Sequence, residues 1–267
     1  MTAVTLGPLV LAADRLAIVV GILGFLLTSG FLARRIDKRL ENWSWFSLIG
    51  AVVAARAGHV ATHWSHFADN PLRALALWQG GFDRVTGALA IAASITFGLK
   101  STQQRLWALA PIAVGLTIWN ITAQLVGATR EISLPERDFV TLDGRKYALR
   151  PTGDKPLVIN LWATWCPPCR REMPMLARVS ATTDDVVFSF VNQSEPREAI
   201  ERFLAETGLK LDNALLDPFG DLARHYGIPG IPATLFVDVG GKMIHAHLGE
   251  ISPEALQSNL EILRAER

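Results

Sequence analysis

From Leu16 to Ala33 the chain runs 18 residues without a charged side chain, and Arg34 and Arg35 close the run. As a helix rising 1.5 Å per residue it reaches about 27 Å, close to the hydrocarbon thickness of a bilayer. The first charged residue is Asp14, so the start lacks the basic region of a secretory signal, and no small-residue cleavage site follows the run. The segment is therefore expected to stay in the membrane. With 50% hydrophobic residues over 267 positions, the chain is too apolar for an ordinary soluble enzyme.

Three further apolar segments, at about Trp45 to Thr62, Val85 to Leu99 and Leu106 to Thr129, give an expectation of about four transmembrane helices. The loop after the first holds Arg34, Arg35, Lys38 and Arg39, and the loop after the third holds Lys100 and Arg105. Basic residues next to span ends favour the cytoplasmic side, so the N-terminus and everything after Arg130 are expected outside it. The third segment has only about 15 uncharged residues. Losing it would flip that parity.

Charge divides at the same place. Residues 1–130 carry 11 Lys/Arg against 5 Asp/Glu, and residues 131–267 carry 15 against 20. Two domains in two different solvents are implied: a membrane domain over 1–130 and an extracytoplasmic domain over 131–267. No basic tract with interleaved aromatics exists, so nucleic acid is not an expected partner; the lipid bilayer is.

Within the second span, Arg56 and His59 are ionisable at membrane depth, a position that costs on the order of 3 kcal/mol and turns the group toward protein or water. Arg56 is thus either a functional residue or one that pairs within the bundle. His59, His63 and His66 fall at the i, i+4, i+7 spacing of one helical stripe. No carboxylate or cysteine stands at ligand spacing beside them, so no metal is expected. The stretches "AARAGHV" (54–60), "NPL" (70–72) and "LWQGG" (77–81) resemble the front of prolipoprotein diacylglyceryl transferases. That family's catalytic histidine is missing, with Val85 in its place, and its second Arg- and Asn-rich motif has no counterpart. The resemblance implies a reused scaffold or anchor and argues against lipid transfer.

From Ile132 onward, short strand patterns alternate with helical ones, as in an α/β domain. "RDFVTLDGRKYAL" alternates about Asp143-Gly144, a hairpin signal, and "PLVINLWA" is a continuous apolar run suited to a strand buried on both faces. Met173, Leu176 and Val179 then recur at helical spacing. Further strands are expected over 185–192 and 232–239, and a helix over 196–208. A hairpin at Gly240-Gly241 leads to a last helix with Ser252 as N-cap and Pro253 at its first position.

Cys166 and Cys169, the only cysteines, sit at the strand-to-helix junction in "LWATWCPPCRREMP". A structural disulfide across so short a loop would constrain the unfolded chain little, and a zinc site lacks a second cysteine pair. Redox chemistry suits a Cys-x-x-Cys that opens a helix in an α/β setting. A sulfur at a helix N-terminus lies near unsatisfied amides and the positive dipole end, which favours thiolate. Cys166 is therefore expected to attack as an accessible thiolate, and Cys169, more enclosed, to resolve the mixed disulfide.

"NLWATWCPPCRREMP" closely resembles the TlpA/ResA/CcmG-like thioredoxin family of extracytoplasmic thiol-disulfide oxidoreductases, from about Asp138 to the end of the chain. The resemblance implies a thioredoxin fold with Cys166 and Cys169 catalytic. It also implies that Glu172 tunes the cysteine pKa values, the alternative being an exposed first-turn glutamate. Asn160 stands where cytoplasmic thioredoxins carry a buried Asp. Pro232 of "YGIPGIPATLF" matches the family's cis-proline, with the Ile231 backbone left to pair with an extended substrate chain, and Trp165 is expected as an apolar contact surface. No cofactor is implied. The expected activity is reduction of protein disulfides at the outer face of a bacterial inner membrane. Residues 1–165 hold no cysteine, so electrons must come from a separate transmembrane thiol reductase. Two other readings remain: a non-enzymatic membrane sensor or interaction module, and a lipid-modifying transferase.

Overall fold

The computed structural model describes residues 3–6, 9–68, 70–127 and 132–266. The expected boundary at Arg130 and the end of the fourth apolar segment at Thr129 lie outside the described residues. The chain divides into two compact units, Leu11–Ala128 and Thr129–Arg267, the second including Met1–Val10. A two-stranded sheet of β1 (Ala3–Leu6) and β2 (Leu9–Ala12) precedes the first helix.

The first unit is helical: α1 (Ala13–Arg35), α2 (Arg39–Thr62), the single turn α3 (Trp64–Phe67), α4 (Arg84–Gly98) and α5 (Thr102–Gly127). Three of these helices, over Arg15–Arg35, Arg39–Thr62 and Thr102–Leu125, are long and apolar enough to cross a membrane. Large apolar side chains such as Leu27, Phe46, Phe97 and Leu125 are exposed on them and on α4, as lipid-facing surfaces require. The expected third span is shorter than a crossing needs: α4 has 15 residues, about 22 Å of helix.

The connections explain how a short helix fits. Trp43 Nε1 donates to Ser94 Oγ (3.2 Å), Ser47 and Ser94 share a 2.8 Å hydrogen bond, and Asp83 N donates to Ala55 O (2.9 Å). So α4 runs antiparallel to α2, with Thr86 against Gly58, and 3₁₀ turns over Pro71–Leu75 and Leu77–Gln79 lie in the connection between the two helices. Carbonyls in such turns need donors where water is absent. Arg56 supplies them: its guanidinium donates to Ala74 O (2.9 Å), Gly80 O (2.6 Å), Gly81 O (3.0 Å) and Arg73 O (2.9 Å). Of the two expectations for Arg56, pairing inside the bundle is the one the structure carries. At the other end, Gln104 donates to Asp37 Oδ2, which brings the two basic loops together. Helices α1 and α5 meet at mid-length across glycines: a Cβ on Gly21 would lie 2.8 Å from Trp119 Cβ, and one on Gly115 would lie 3.0 Å from Phe25 Cβ.

The second unit is a thioredoxin fold. Its seven strands are β3 (Asp138–Thr141), β4 (Lys146–Ala148), β5 (Leu157–Trp162), β6 (Val187–Gln193), β7 (Ala214–Asp217), β8 (Ala233–Val237) and β9 (Met243–Leu248), in the order β4-β3-β7-β6-β5-β8-β9. Strands β5, β6 and β7 are parallel, joined through α6 (Pro167–Thr182) and α7 (Arg197–Thr207), while β8 and β9 pair antiparallel beyond β5. All six residues of β5 are buried, as its continuous apolar run requires. Val158 and Trp162 pack with α6, α7 and α9 (Pro253–Ala265), and Leu157, Ile159 and Leu161 pack on the other side with α8 (Asp221–His225). The sequence reading passed over β7 and α8. Both are short, and α8 is capped from a distance by Asp217, whose carboxylate accepts from Asp221 N and Leu222 N (both 2.9 Å).

Candidate active site

Strand β5 ends at Trp162, and the chain turns through Ala163–Cys166 before α6 begins. Cys166 is the N-cap: it has extended backbone angles, and its Sγ accepts from Cys169 N at 3.3 Å. Pro167 and Pro168 occupy the first two helical positions, where a missing N–H costs nothing. The first free amide of the helix is thus that of Cys169, and it points at the Cys166 sulfur. The two cysteines form a disulfide with Cα atoms 5.3 Å apart. In this oxidised state the expectation of an accessible Cys166 does not hold, for the residue is 2% exposed and packs into the same cluster as Trp162 and Ala163. Trp165, 66% exposed, is the side chain that faces solvent.

Glu172 lies on the buried side of α6 at 2% exposure. The alternative of an exposed first-turn glutamate is excluded. Its Oε1 accepts from Asn160 Nδ2 (2.9 Å) and its Oε2 from Ile251 N (2.8 Å). Burial pushes its pKa up to about 7 against those two hydrogen bonds, with Glu250 adding to the rise and Arg171 opposing it. Asn160 Nδ2 also donates to Thr234 Oγ1 (3.2 Å), while Asn160 Oδ1 is buried without a hydrogen-bond partner among the described residues. Next to Glu172, Arg171 pairs with Glu250 at 2.6 Å. Adjacent residues of α6 therefore hold adjacent residues of the β9–α9 loop.

The peptide bond Ile231-Pro232 is cis, as the matching of Pro232 implies. Ile231 makes no backbone hydrogen bond among the described residues, and the Pro232 carbonyl accepts from Gly249 N (2.9 Å). Of the histidine stripe in the membrane unit, His59 and His63 stack with ring centroids 4.4 Å apart, and the helix does not carry it further. Helix α2 ends at Thr62 with His63 as its C-cap, so His66 belongs to α3. Among the described residues, no three His, Cys, Asp or Glu side chains could hold a metal. The sequence reading missed Thr234, Ile251 and Glu195. The last accepts from Thr164 N (2.7 Å), Thr164 Oγ1 and Asn192 Nδ2 (2.7 Å).

A cysteine pair capping a helix at the end of a buried parallel strand, with an enclosed carboxyl on the same helix, defines a thioredoxin-fold domain for thiol-disulfide exchange. The Redoxin family model matches residues 129–262, half of the chain, and the chain belongs to this family. It is 32% identical over 161 residues to the thiol:disulfide interchange protein DsbE of Escherichia coli, covering 59% of this chain and 84% of that one. It is 30% identical over 159 residues to the thiol-disulfide oxidoreductase ResA of Geobacillus thermodenitrificans, covering 57% and 88%. Among solved structures, a secreted Mycobacterium tuberculosis disulfide oxidoreductase homologous to DsbE aligns with a TM-score of 0.42 at 26% identity, covering 47% of this chain and 95% of that one. The prolipoprotein diacylglyceryl transferase family model matches residues 1–127. The protein is a thiol-disulfide oxidoreductase fused to a diacylglyceryl-transferase-like helical domain.

Proposed function

We propose that the chain is a multi-pass protein of a bacterial inner membrane that reduces protein disulfides on the periplasmic side. The observation that carries this reading is the Cys166–Cys169 pair at the β5–α6 junction on the same helix as the buried Glu172. In the reduced form the Cys166 thiolate attacks a substrate disulfide; the substrate S–S bond breaks, a mixed disulfide forms, and one substrate thiolate leaves. Glu172 takes the proton of Cys169 as that sulfur attacks Sγ of Cys166. The second substrate thiol is released, and the two electrons of the dithiol have passed to the substrate. Trp165 and the Ile231–Pro232 backbone receive the substrate chain.

Recharging the disulfide takes two electrons from a membrane-embedded thiol reductase, because residues 1–165 contain no cysteine to relay them. For the orientation, the support is the Asp37–Gln104 contact. It gathers Arg34, Arg35, Lys38, Arg39, Lys100 and Arg105 at one end of the bundle, leaving the start of α1 and the end of α5 at the other. The test is trapping. Cys169→Ala in the full-length protein accumulates mixed disulfides with periplasmic proteins that dithiothreitol releases, and Cys166→Ser accumulates none. Retention of cellular function by Cys166→Ser would favour the non-enzymatic module instead.

A further inference from the structure

We infer that Glu195 is a positioning residue for disulfide exchange, a carboxylate that fixes the turn presenting Cys166. The inference rests on the reading of Cys166 as the attacking sulfur.

The turn Ala163–Cys166 has left the sheet, so its amides lack ladder partners and must find acceptors elsewhere. Cys166 N closes the turn on Ala163 O at 3.3 Å. Thr164 makes no such local bond. Its N–H reaches Glu195 Oε2 (2.7 Å) and its hydroxyl reaches Glu195 Oε1, so both oxygens of one carboxylate hold one residue. A two-point grip fixes rotation as well as position. Asn192 Nδ2 adds a third donor on Oε2 at 2.7 Å. Asn192 faces Trp162 in the β5–β6 ladder, so the carboxylate is anchored to the strand beside the one it steadies.

The backbone before Glu195 is built for this. Ser194 has φ of 61°, a left-handed conformation uncommon outside glycine, and its N–H is held by Asp217 O at 3.0 Å. Such a conformation persists where its surroundings over-determine it, and here it aims the next side chain back across the strand ends. Trp165 and Cys166 follow Thr164 directly. Freeing Thr164 therefore frees the peptide planes that set the line of attack of the Cys166 sulfur, and misplacement by about 1 Å is enough to slow a reaction roughly a hundredfold.

The chemistry of the grip separates positioning from charge. A glutamine at 195 keeps it without the charge: the amide oxygen accepts from Thr164 N and Asn192 Nδ2, and the amide N–H₂ donates to the Thr164 hydroxyl, which rotates to accept. An alanine abolishes it. The experiment uses the full-length protein in detergent, reduced and then mixed with 5,5′-dithiobis(2-nitrobenzoate). Cys166 displaces one nitrothiobenzoate and Cys169 the second, leaving the protein disulfide. The rate constant of the first release is read on its plateau above the thiolate titration, so that a shifted thiol pKa does not enter. Glu195→Ala is expected to lower the plateau about tenfold, and Glu195→Gln to keep it within about threefold of the parent. An Ala plateau within twofold of the parent, or Gln and Ala falling equally, overturns the inference. Should Glu195→Ala fail to fold, Thr164→Val deletes only the hydroxyl arm. A fall of about threefold is then expected, and an unchanged rate overturns the inference. Cys166→Ser runs alongside: first release at the parent rate in that variant would defeat the reading of Cys166 itself, whatever Glu195 does.

Discussion

The amide of Asn160 donates to Oε1 of Glu172 at 2.9 Å, and both side chains are almost wholly enclosed. The Glu172 carboxyl, with an ordinary value of 4.5, titrates at about 7 in this setting. The folded state therefore holds the proton more tightly than the unfolded chain, and stability falls as pH rises from 4.5 to about 7. The size of the fall is roughly 3 kcal/mol. Glu172→Gln cannot ionise, and its amide can satisfy Asn160 Oδ1 once the Asn160 side chain turns over. Unfolding of the oxidised protein across pH 4 to 9 is expected to show a decline through that window in the parent and a flat difference in the variant, which is the more stable protein above pH 7. Parallel curves would count against the raised value.

Arg56 holds the carbonyls of Arg73 and Ala74 in the first 3₁₀ turn and of the Gly80-Gly81 pair that follows the second. Arg56→Leu keeps the bulk and removes the donors, leaving four half-buried carbonyls without the guanidinium, a loss of up to about 1 kcal/mol each. The membrane unit is expected to lose several degrees of thermal stability in detergent, read as the onset of aggregation, while the rate of disulfide exchange per folded molecule stays unchanged. Gly81→Ala tests the same cradle from the other side. Gly81 has φ of 78°, and an added Cβ would lie 2.5 Å from His59 Nε2 and 2.9 Å from Arg56 Nη1, so it is expected to act in the same direction.

Trp165 stands 66% exposed one residue before the redox pair. Its truncation to Ala removes a surface that only a large substrate can cover. Melting is expected within about 1 °C of the parent. The rate with a small aromatic disulfide is expected within about twofold, and kcat/KM with a protein disulfide is expected to fall about tenfold, the loss of a modest aromatic contact. Equal losses on both substrates would show that Trp165 supports the cysteines and does not contact the substrate.

Local pattern carried most of the soluble fold. The apolar run of β5, the Asp143-Gly144 turn, the Ser252 cap and the Cys-Pro-Pro-Cys helix start are each decided within about ten residues of chain. What escaped was set by distance in sequence. Glu195 is 31 residues from Thr164, and only the pairing of Trp162 with Asn192 brings them together. Ile251 reaches Glu172 through a backbone N–H, which no side-chain pattern records. In the membrane unit, hydropathy located the helices, but periodicity extended the histidine stripe past Thr62 and could not foresee that Arg56 would hold the carbonyls of the segment leading into the short α4.

The glycine contacts between α1 and α5 bear on how the first unit behaves as a mechanical object. With Gly21 and Gly115 backbone to backbone near the middle of their helices, the helix where the chain enters and the helix by which it leaves approach too closely there to admit another side chain, and Phe25, Ile118 and Trp119 pack around the contact. A single added methyl at either position forces the two helices apart at that crossing. The opening and closing helices of this unit are therefore fastened to each other at mid-length, so a change in one is passed directly to the other.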